Sequence, residues 1–506
     1  MVHSLKGDEF GDFQTPSMLA KQVCKLLADR RLTPASVVEP TCGIGNFLFA
    51  ALDQFPTVRR ALGVEINQAY VDKLIATLQT CPYADKVRVI RESFFHVDLV
   101  TLLRDLPDPL LAIGNPPWIT NAQLGVLGSA NLPRKTNFQN HDGLAALTGK
   151  SNFDISEWIL IKLLELLAGR QATIAMLCKT AVARKVLMHA WKNCISLENS
   201  EIHAINAAAL FGAAVDACLL VCSLSPSQHN HNCRVFRQIG DDHPTKTIGY
   251  HDGLLIADVG AYNRWKHLNG AEVYKWRSGI KHDCAKVMEL HKEGNQYWNG
   301  LGELVDIEDD YLYPMLKSSE LANNRTGKPN RWMLVTQRAV GDDTSTIRVQ
   351  APKTWKYLQE HGDVLDRRAS SIYRKRPRFS VFGVGDYSFS PWKVAISGFY
   401  QKLQFATVGS IFGKPVVLDD TCSFVACQTE QEAHFIASLL NSSPAREFFS
   451  AFLFWDAKRP ITIDILRRLD LLALARELGS EDTMTRLWEQ RNPRKFNVQR
   501  DLFDTR

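Results

Sequence analysis

A chain of 506 residues with 45% hydrophobic content exceeds the size at which one core keeps growing, so at least two domains are expected. Charged residues make up 23% and the net charge is +6, a mild basic bias that suits a polyanionic partner. No apolar run approaches the length of a membrane span, residues 1–10 lack the apolar stretch of a signal peptide, and the eleven cysteines form no C-x-x-C pair or zinc-spaced His/Cys cluster. A cytoplasmic protein with reduced, mostly buried thiols, no structural metal and no membrane contact is therefore expected.

In chain order, helical spacing falls at 17–29, 47–54, 68–80 and 155–167. Short apolar strands are expected at 35–38, 61–64, 87–90, 110–113, 172–177 and 217–221. Such alternation predicts an α/β domain built on a mostly parallel sheet with crossover helices. The polar, turn-rich run 225–232 then sets the expected boundary, giving domains 1–225 and 226–506. Beyond it the strand-helix rhythm is lost and aromatics multiply, which predicts a mixed α+β second domain. Its basic stretches, Arg367-Arg368 and Tyr373-Arg374-Lys375-Arg376-Pro377-Arg378, lie near Phe379, Tyr387, Trp392, Phe399 and Tyr400, a mixture that phosphate and base contacts require.

Three local patterns carry chemistry. After the first strand comes Glu39-Pro40-Thr41-Cys42-Gly43-Ile44-Gly45-Asn46-Phe47, where two glycines let the backbone approach a ligand at the strand's C-terminal edge. A plain glycine turn would serve equally well until Glu65-Ile66, at the end of the next strand, adds a carboxylate placed to take both hydroxyls of a ribose. NAD would prefer a third glycine where Leu48 stands, so S-adenosylmethionine, which has no pyrophosphate, fits better. The third pattern, Asn115-Pro116-Pro117-Trp118, follows the fourth strand. Its prolines fix the backbone and remove two N–H donors, so the Pro116 carbonyl and the Asn115 side-chain oxygen can accept from a substrate amine while Trp118 offers a stacking face.

Together these motifs resemble the gamma-class N6-adenine DNA methyltransferases of the TaqI type, over roughly residues 11–222. The resemblance implies a Rossmann-like S-adenosylmethionine-dependent catalytic domain followed by a DNA target-recognition domain. It also implies direct methyl transfer to a flipped-out adenine of double-stranded DNA. Gly11-Asp12-Phe13-Gln14-Thr15-Pro16 is similar to the family's N-terminal motif, so Phe13, Thr15 and Pro16 would help close the cofactor pocket. Glu39, Pro40, Cys42, Gly43, Gly45 and Asn46 would form its glycine loop, with Glu65 and Ile66 at the ribose and Asn115 touching the cofactor as well as the substrate.

Where the family has an Asp-Phe pair this chain has Arg91-Glu92-Ser93-Phe94, so either Glu92 or Ser93 contacts the cofactor adenine or that contact is missing, while Phe94 could still stack on the ring. Ser151-Asn152-Phe153-Asp154 resembles the next motif, and Leu210-Phe211-Gly212 the one whose phenylalanine packs on the extruded base, so Phe211 and Trp118 would hold adenine from two sides. Residues 121–150, with Arg134, Lys135 and His141, would form a mobile loop over the DNA or a solvated surface insertion.

The C-terminal runs 278–284, 384–393 and 458–462 resemble pieces of target-recognition domains. The neighbours His282, Asp283 and Cys284 are not expected to converge as a triad. The implied role is the modification enzyme of a restriction-modification or related defence system, associated with the nucleoid and with a separately encoded endonuclease as a possible partner. A nuclease ahead of residue 11 is not expected. Cytosine N4, and an amide or base amine of protein or RNA, are alternative substrates for the same tetrapeptide.

Overall fold

A computed structural model of the chain describes residues 14–120, 154–327 and 329–491. It divides into two compact units, Met1–Val259 and Gly260–Arg506.

The first unit is a ten-stranded sheet flanked by helices. In chain order its elements are α1 (Ser17–Asp29), β1 (Ser36–Glu39), α2 (Asn46–Gln54), β2 (Arg60–Glu65), α3 (Gln68–Leu78), β3 (Val87–Arg91), α4 (Leu99–Arg104) and β4 (Leu110–Gly114). Then follow α5 (Ile155–Leu167), β5 (Ala172–Lys179), α6 (Thr180–Lys192), β6 (Leu197–Ile205), α7 (Ala207–Phe211), β7 (Ala217–Leu224), β8 (Asn232–Phe236), β9 (Lys246–His251) and β10 (Leu254–Ile256). The spatial order is β10-β9-β8-β6-β7-β5-β4-β1-β2-β3.

Strands β3, β2, β1, β4 and β5 run parallel, and β7 inserts antiparallel between β5 and β6. Because helices cover both faces, β1 and β4 are buried at every position, which explains their continuous apolar runs. Helix α1 lays Leu19, Ala20, Val23, Cys24, Leu26 and Leu27 into a core shared with Phe47 and Leu48 of α2 and with Val37, Leu111, Ile113 and Leu177 of the sheet. The chain goes from β1 to one side and returns through β4 on the other. The C-terminal ends of β1, β2 and β4 therefore border a crevice at a topological switch point.

The structure moves the expected boundary from 225/226 to 259/260. The polar run after β7 is a connection within the sheet, since β8 pairs parallel with β6 and β9 and β10 extend the same sheet. Asn230 lies inside that run, and its carbonyl accepts from Trp191 Nε1 at 3.1 Å while its amide donates to the Glu198 carbonyl. Turn residues signal a reversal of direction, which ends a hairpin as readily as a domain. Strand β6, also absent from the sequence reading, hides behind a polar composition. Its buried Glu201 is matched by His203, Arg30 and Arg234, at 2.8, 3.3 and 2.5 Å.

The second unit is α+β. Strands β11 (Trp276–Ser278), β17 (Trp392–Ser397), β18 (Ala406–Gly409) and β20 (Cys422–Cys427) make an antiparallel sheet in the order β11-β20-β17-β18. A six-stranded sheet uses β12 (Glu289–Glu293), β13 (Gln296–Asn299), β14 (Leu304–Val305), β15 (Leu312–Leu316), β16 (Arg331–Leu334) and β19 (Val417–Leu418). Arg374, Lys375, Arg376 and Arg378 are exposed, whereas Phe379 is fully buried. His282, Asp283 and Cys284 form no triad. His282 Nε2 lies 3.2 Å from Glu289, which also binds Lys317 at 2.6 Å and Arg331 at 3.1 Å. Burial would raise the Glu289 carboxyl, but the bonds from His282 and Lys317 outweigh it and hold it down to about 2.

Candidate active site

The crevice at the ends of β1, β2 and β4 opens into a cleft of about 980 Å³, mouth included. It is built from the glycine loop between β1 and α2. Gly43 and Gly45 adopt φ of 52° and 85°, conformations that favour residues without a Cβ. A Cβ on Gly45 would run into Leu74 of α3, and one on Gly43 would lie 2.9 Å from Gln14 Oε1.

The loop is held by two acids. Glu65, at the end of β2, accepts from Gly43 N at 2.8 Å and from Asn67 N at 2.7 Å, so one carboxylate fixes both the loop and the start of α3. Glu39, at the end of β1, accepts from Leu48 N at 3.1 Å in the first turn of α2. It is only 3% exposed, and burial, reinforced by the nearby Glu65 charge, pushes its carboxyl well above the ordinary range despite that bond. Burial and both acids likewise push the Cys42 thiol up. Asn46 Nδ2 donates to the Thr15 carbonyl at 2.7 Å, drawing the segment before α1 against the loop.

Along the cleft, Phe94 packs edge to face on Trp158 of α5 with centroids 5.9 Å apart, and Phe95 does so at 5.1 Å. The turn after β4 brings in Asn115 and Pro117. Trp118 is buried behind them, its indole donating to the Leu177 carbonyl at 3.4 Å and its carbonyl accepting from Lys179 Nζ at 2.8 Å.

Of the residues expected around the cofactor, Thr15, Glu39, Pro40, Cys42, Gly43, Asn46, Glu65, Ile66, Phe94 and Asn115 line this one cleft. Gly45 shapes the loop from behind, and Pro16 precedes α1 without reaching the cleft. Phe13 lies outside the described residues, as do 121–153 with Arg134, Lys135 and His141.

One expectation is corrected. Ser93 is buried at 2% exposure, its hydroxyl taking the Phe95 N–H and its carbonyl those of His96 and Val97, so it organises the turn while Glu92 faces the cleft. Trp118 and Phe211 touch edge to face at 5.3 Å and 78°, so a base held between them needs the rings to part to about 7 Å, two contacts of about 3.5 Å.

Gln14, Thr41, Asn67, Tyr70, Phe95, Ile155 and Ile159 also line the cleft and were given no role in the sequence. Gln14 and Thr41 lie within the N-terminal and glycine motifs, and Ile155 and Ile159 carried the i, i+4 apolar spacing that opens α5.

Sheet order, the antiparallel β7 and the glycine-loop cleft define a Rossmann-like methyltransferase domain followed by a second, α+β domain. No protein-family model matches the sequence. The chain is 47% identical over 480 residues to the type II methyltransferase M.NspV of Nostoc sp. (strain ATCC 29411 / PCC 7524), an alignment covering 94% of this chain and 99% of that one. Its fold is similar, with a TM-score of 0.52 at 13% identity, to that of the type IIL restriction-modification enzyme MmeI solved in complex with DNA, over 92% of this chain and 67% of the other. The chain belongs to the type II methyltransferase family.

Proposed function

We propose that this protein is a site-specific DNA adenine-N6 methyltransferase that draws its methyl group from S-adenosylmethionine and serves as the modification enzyme of a restriction-modification or related defence system. The carrying observation is that Asn115 and Pro117, at the end of β4, line the same cleft as the Glu65 carboxylate at the end of β2.

The residues present fit the cofactor. A carboxylate has about four acceptor positions, so Glu65 can hold two backbone amides and still receive two ribose hydroxyls. The space above Gly43 is one that a Cβ would fill, and Ile66 and Phe94 give apolar walls suited to a purine. S-adenosylmethionine supplies an electrophilic methyl group.

The chain's own residues do the rest. The Asn115 side-chain oxygen and the Pro116 carbonyl accept the two N–H groups of the substrate amine and orient its nitrogen, which conjugation makes a poor nucleophile. A paired adenine keeps N6 inside the duplex, so the target base leaves the stack. Admitting it against Trp118 requires the Phe211 ring to swing away. The second domain, with exposed Arg374, Lys375 and Arg376, reads the sequence, which favours DNA over an RNA or protein amide; cytosine N4 is the nearest rival. Double-stranded DNA at the nucleoid is the partner, and a separately encoded endonuclease completes the system.

Single-molecule sequencing of DNA from a methylation-free host expressing the chain tests this. N6-methyladenine at one repeated motif is expected, and Asn115→Ala abolishes it while DNA affinity is kept. N4-methylcytosine, or unmodified DNA despite cofactor binding, would overturn the adenine reading.

A further inference from the structure

The turn that carries Asn115 cannot hold itself. Pro116 and Pro117 contribute no N–H, so the backbone there must be fixed by donors from elsewhere. The last residue of β5, Lys179, supplies one. Its ammonium donates to the Trp118 carbonyl at 2.8 Å and to Asp154 Oδ2 at 2.7 Å. Two residues earlier in the same strand, the Leu177 carbonyl accepts the Trp118 indole N–H. Strand β5 thus grips Trp118 by both backbone and ring.

Asp154 is 8% exposed, and its other oxygen accepts from Ser156 N at 3.0 Å and Ser156 Oγ at 2.5 Å, capping α5. Thr120 and Asp154 pair as an antiparallel bridge, and Ile155 N donates to the Ile119 carbonyl at 2.9 Å. One ammonium therefore joins three segments: the turn after β4, the start of α5 and the end of β5.

We propose that Lys179 is a positioning residue for methyl transfer, an assignment that rests on the methyltransferase function proposed above. By drawing the Trp118 carbonyl towards β5, it removes a competing acceptor from the turn. Asn115 Oδ1 and the Pro116 carbonyl are left as the pair that receives the substrate amine, and Trp118 is fixed as a platform. Lys179 does not line the cofactor cleft, so its loss acts on geometry at the amine rather than on donor binding. A misplacement on the order of 1 Å at reacting groups costs about 100-fold in rate.

The test measures kcat on a DNA duplex, S-adenosylmethionine affinity by calorimetry, and fluorescence of 2-aminopurine at the target position. For Lys179→Met, kcat is expected to fall about 10- to 100-fold with donor affinity within about threefold of wild type. Lys179→Arg, whose guanidinium can span the same two acceptors, recovers much of the rate. Asp154→Asn, which keeps the helix cap and leaves Lys179 on the Trp118 carbonyl, loses less than Lys179→Met and covers the case in which that variant does not fold.

A folded Lys179→Met at the wild-type rate would overturn the proposal. So would a parallel loss of donor affinity and rate, which marks a merely structural ion pair, or an Asp154→Asn variant as impaired as Lys179→Met. A wild-type chain that methylates no DNA would refute the underlying function and the proposal with it, whereas an active wild type beside an unimpaired Lys179→Met refutes the proposal alone.

Discussion

Replacing Glu65 by glutamine keeps the side chain's shape and removes its charge. In the wild type its two oxygens accept from Gly43 N at 2.8 Å and Asn67 N at 2.7 Å, each bond charge-assisted and worth about 1.5–3 kcal/mol. Glutamine retains one neutral acceptor, worth about 1 kcal/mol, and turns an NH2 group towards the other backbone N–H. A donor ribose would also lose one of its two acceptors. The loop bonds are lost in the free and the donor-bound protein alike and so cost stability, whereas the lost ribose bond, charge-assisted and worth about 1.5–3 kcal/mol, weakens S-adenosylmethionine binding about 10- to 150-fold at 1.4 kcal/mol per decade. Calorimetric titration of the purified chain reads this directly, and kcat at saturating donor should stay within about threefold because Glu65 does not touch the reacting amine. A Glu65→Gln dissociation constant within threefold of wild type would refute the assignment of this carboxylate.

Gly45→Ala puts a Cβ on a residue at φ 85° and against Leu74, so left-handed strain of about 1–2 kcal/mol adds to the collision. A lowered melting temperature and weakened donor binding are expected together, and an unchanged melting temperature would contradict the geometry. Lys393, 1% exposed in β17 with its ammonium on the Ser390 carbonyl at 2.8 Å, has its pKa pushed by burial from 10.5 down to about 7. Between those values the unfolded chain holds a proton that the folded chain does not, so stability rises with pH across about 7 to 10.5 and the full penalty applies below 7. Lys393→Met should therefore be the more stable protein at pH 7, by at most about 5 kcal/mol, and denaturant unfolding at pH 7 and 9.5 should show wild type gaining on it. Equal pH slopes in the two proteins would refute the neutral, buried amine.

Much of the first domain was legible because its signals are local. Strands β1, β2, β4, β5 and β7 are mostly buried runs of apolar residues, the edge strand β3 keeps a short apolar run between arginines, and α1, α2, α3 and α5 show an apolar stripe. The glycine loop, Glu65 and the Asn115 turn were visible because only certain residue types meet the backbone and acceptor demands of one short stretch. The sequence by itself marked the glycine loop after β1, the carboxylate at the end of β2 and the turn that carries Asn115.

Tertiary structure decided what depends on distant partners. Glu201 could sit in β6 only because Arg30 and Arg234 arrive from elsewhere in the chain, and the boundary shifted because β8 to β10 pair on an edge that no local pattern announces. Burial of Ser93, contact between Trp118 and Phe211, and the reach of Lys179 to Trp118 and Asp154 likewise follow from packing across sequence separations that no local propensity encodes. Residue type limits what a side chain can do, and the packed sheet decides which partner it meets.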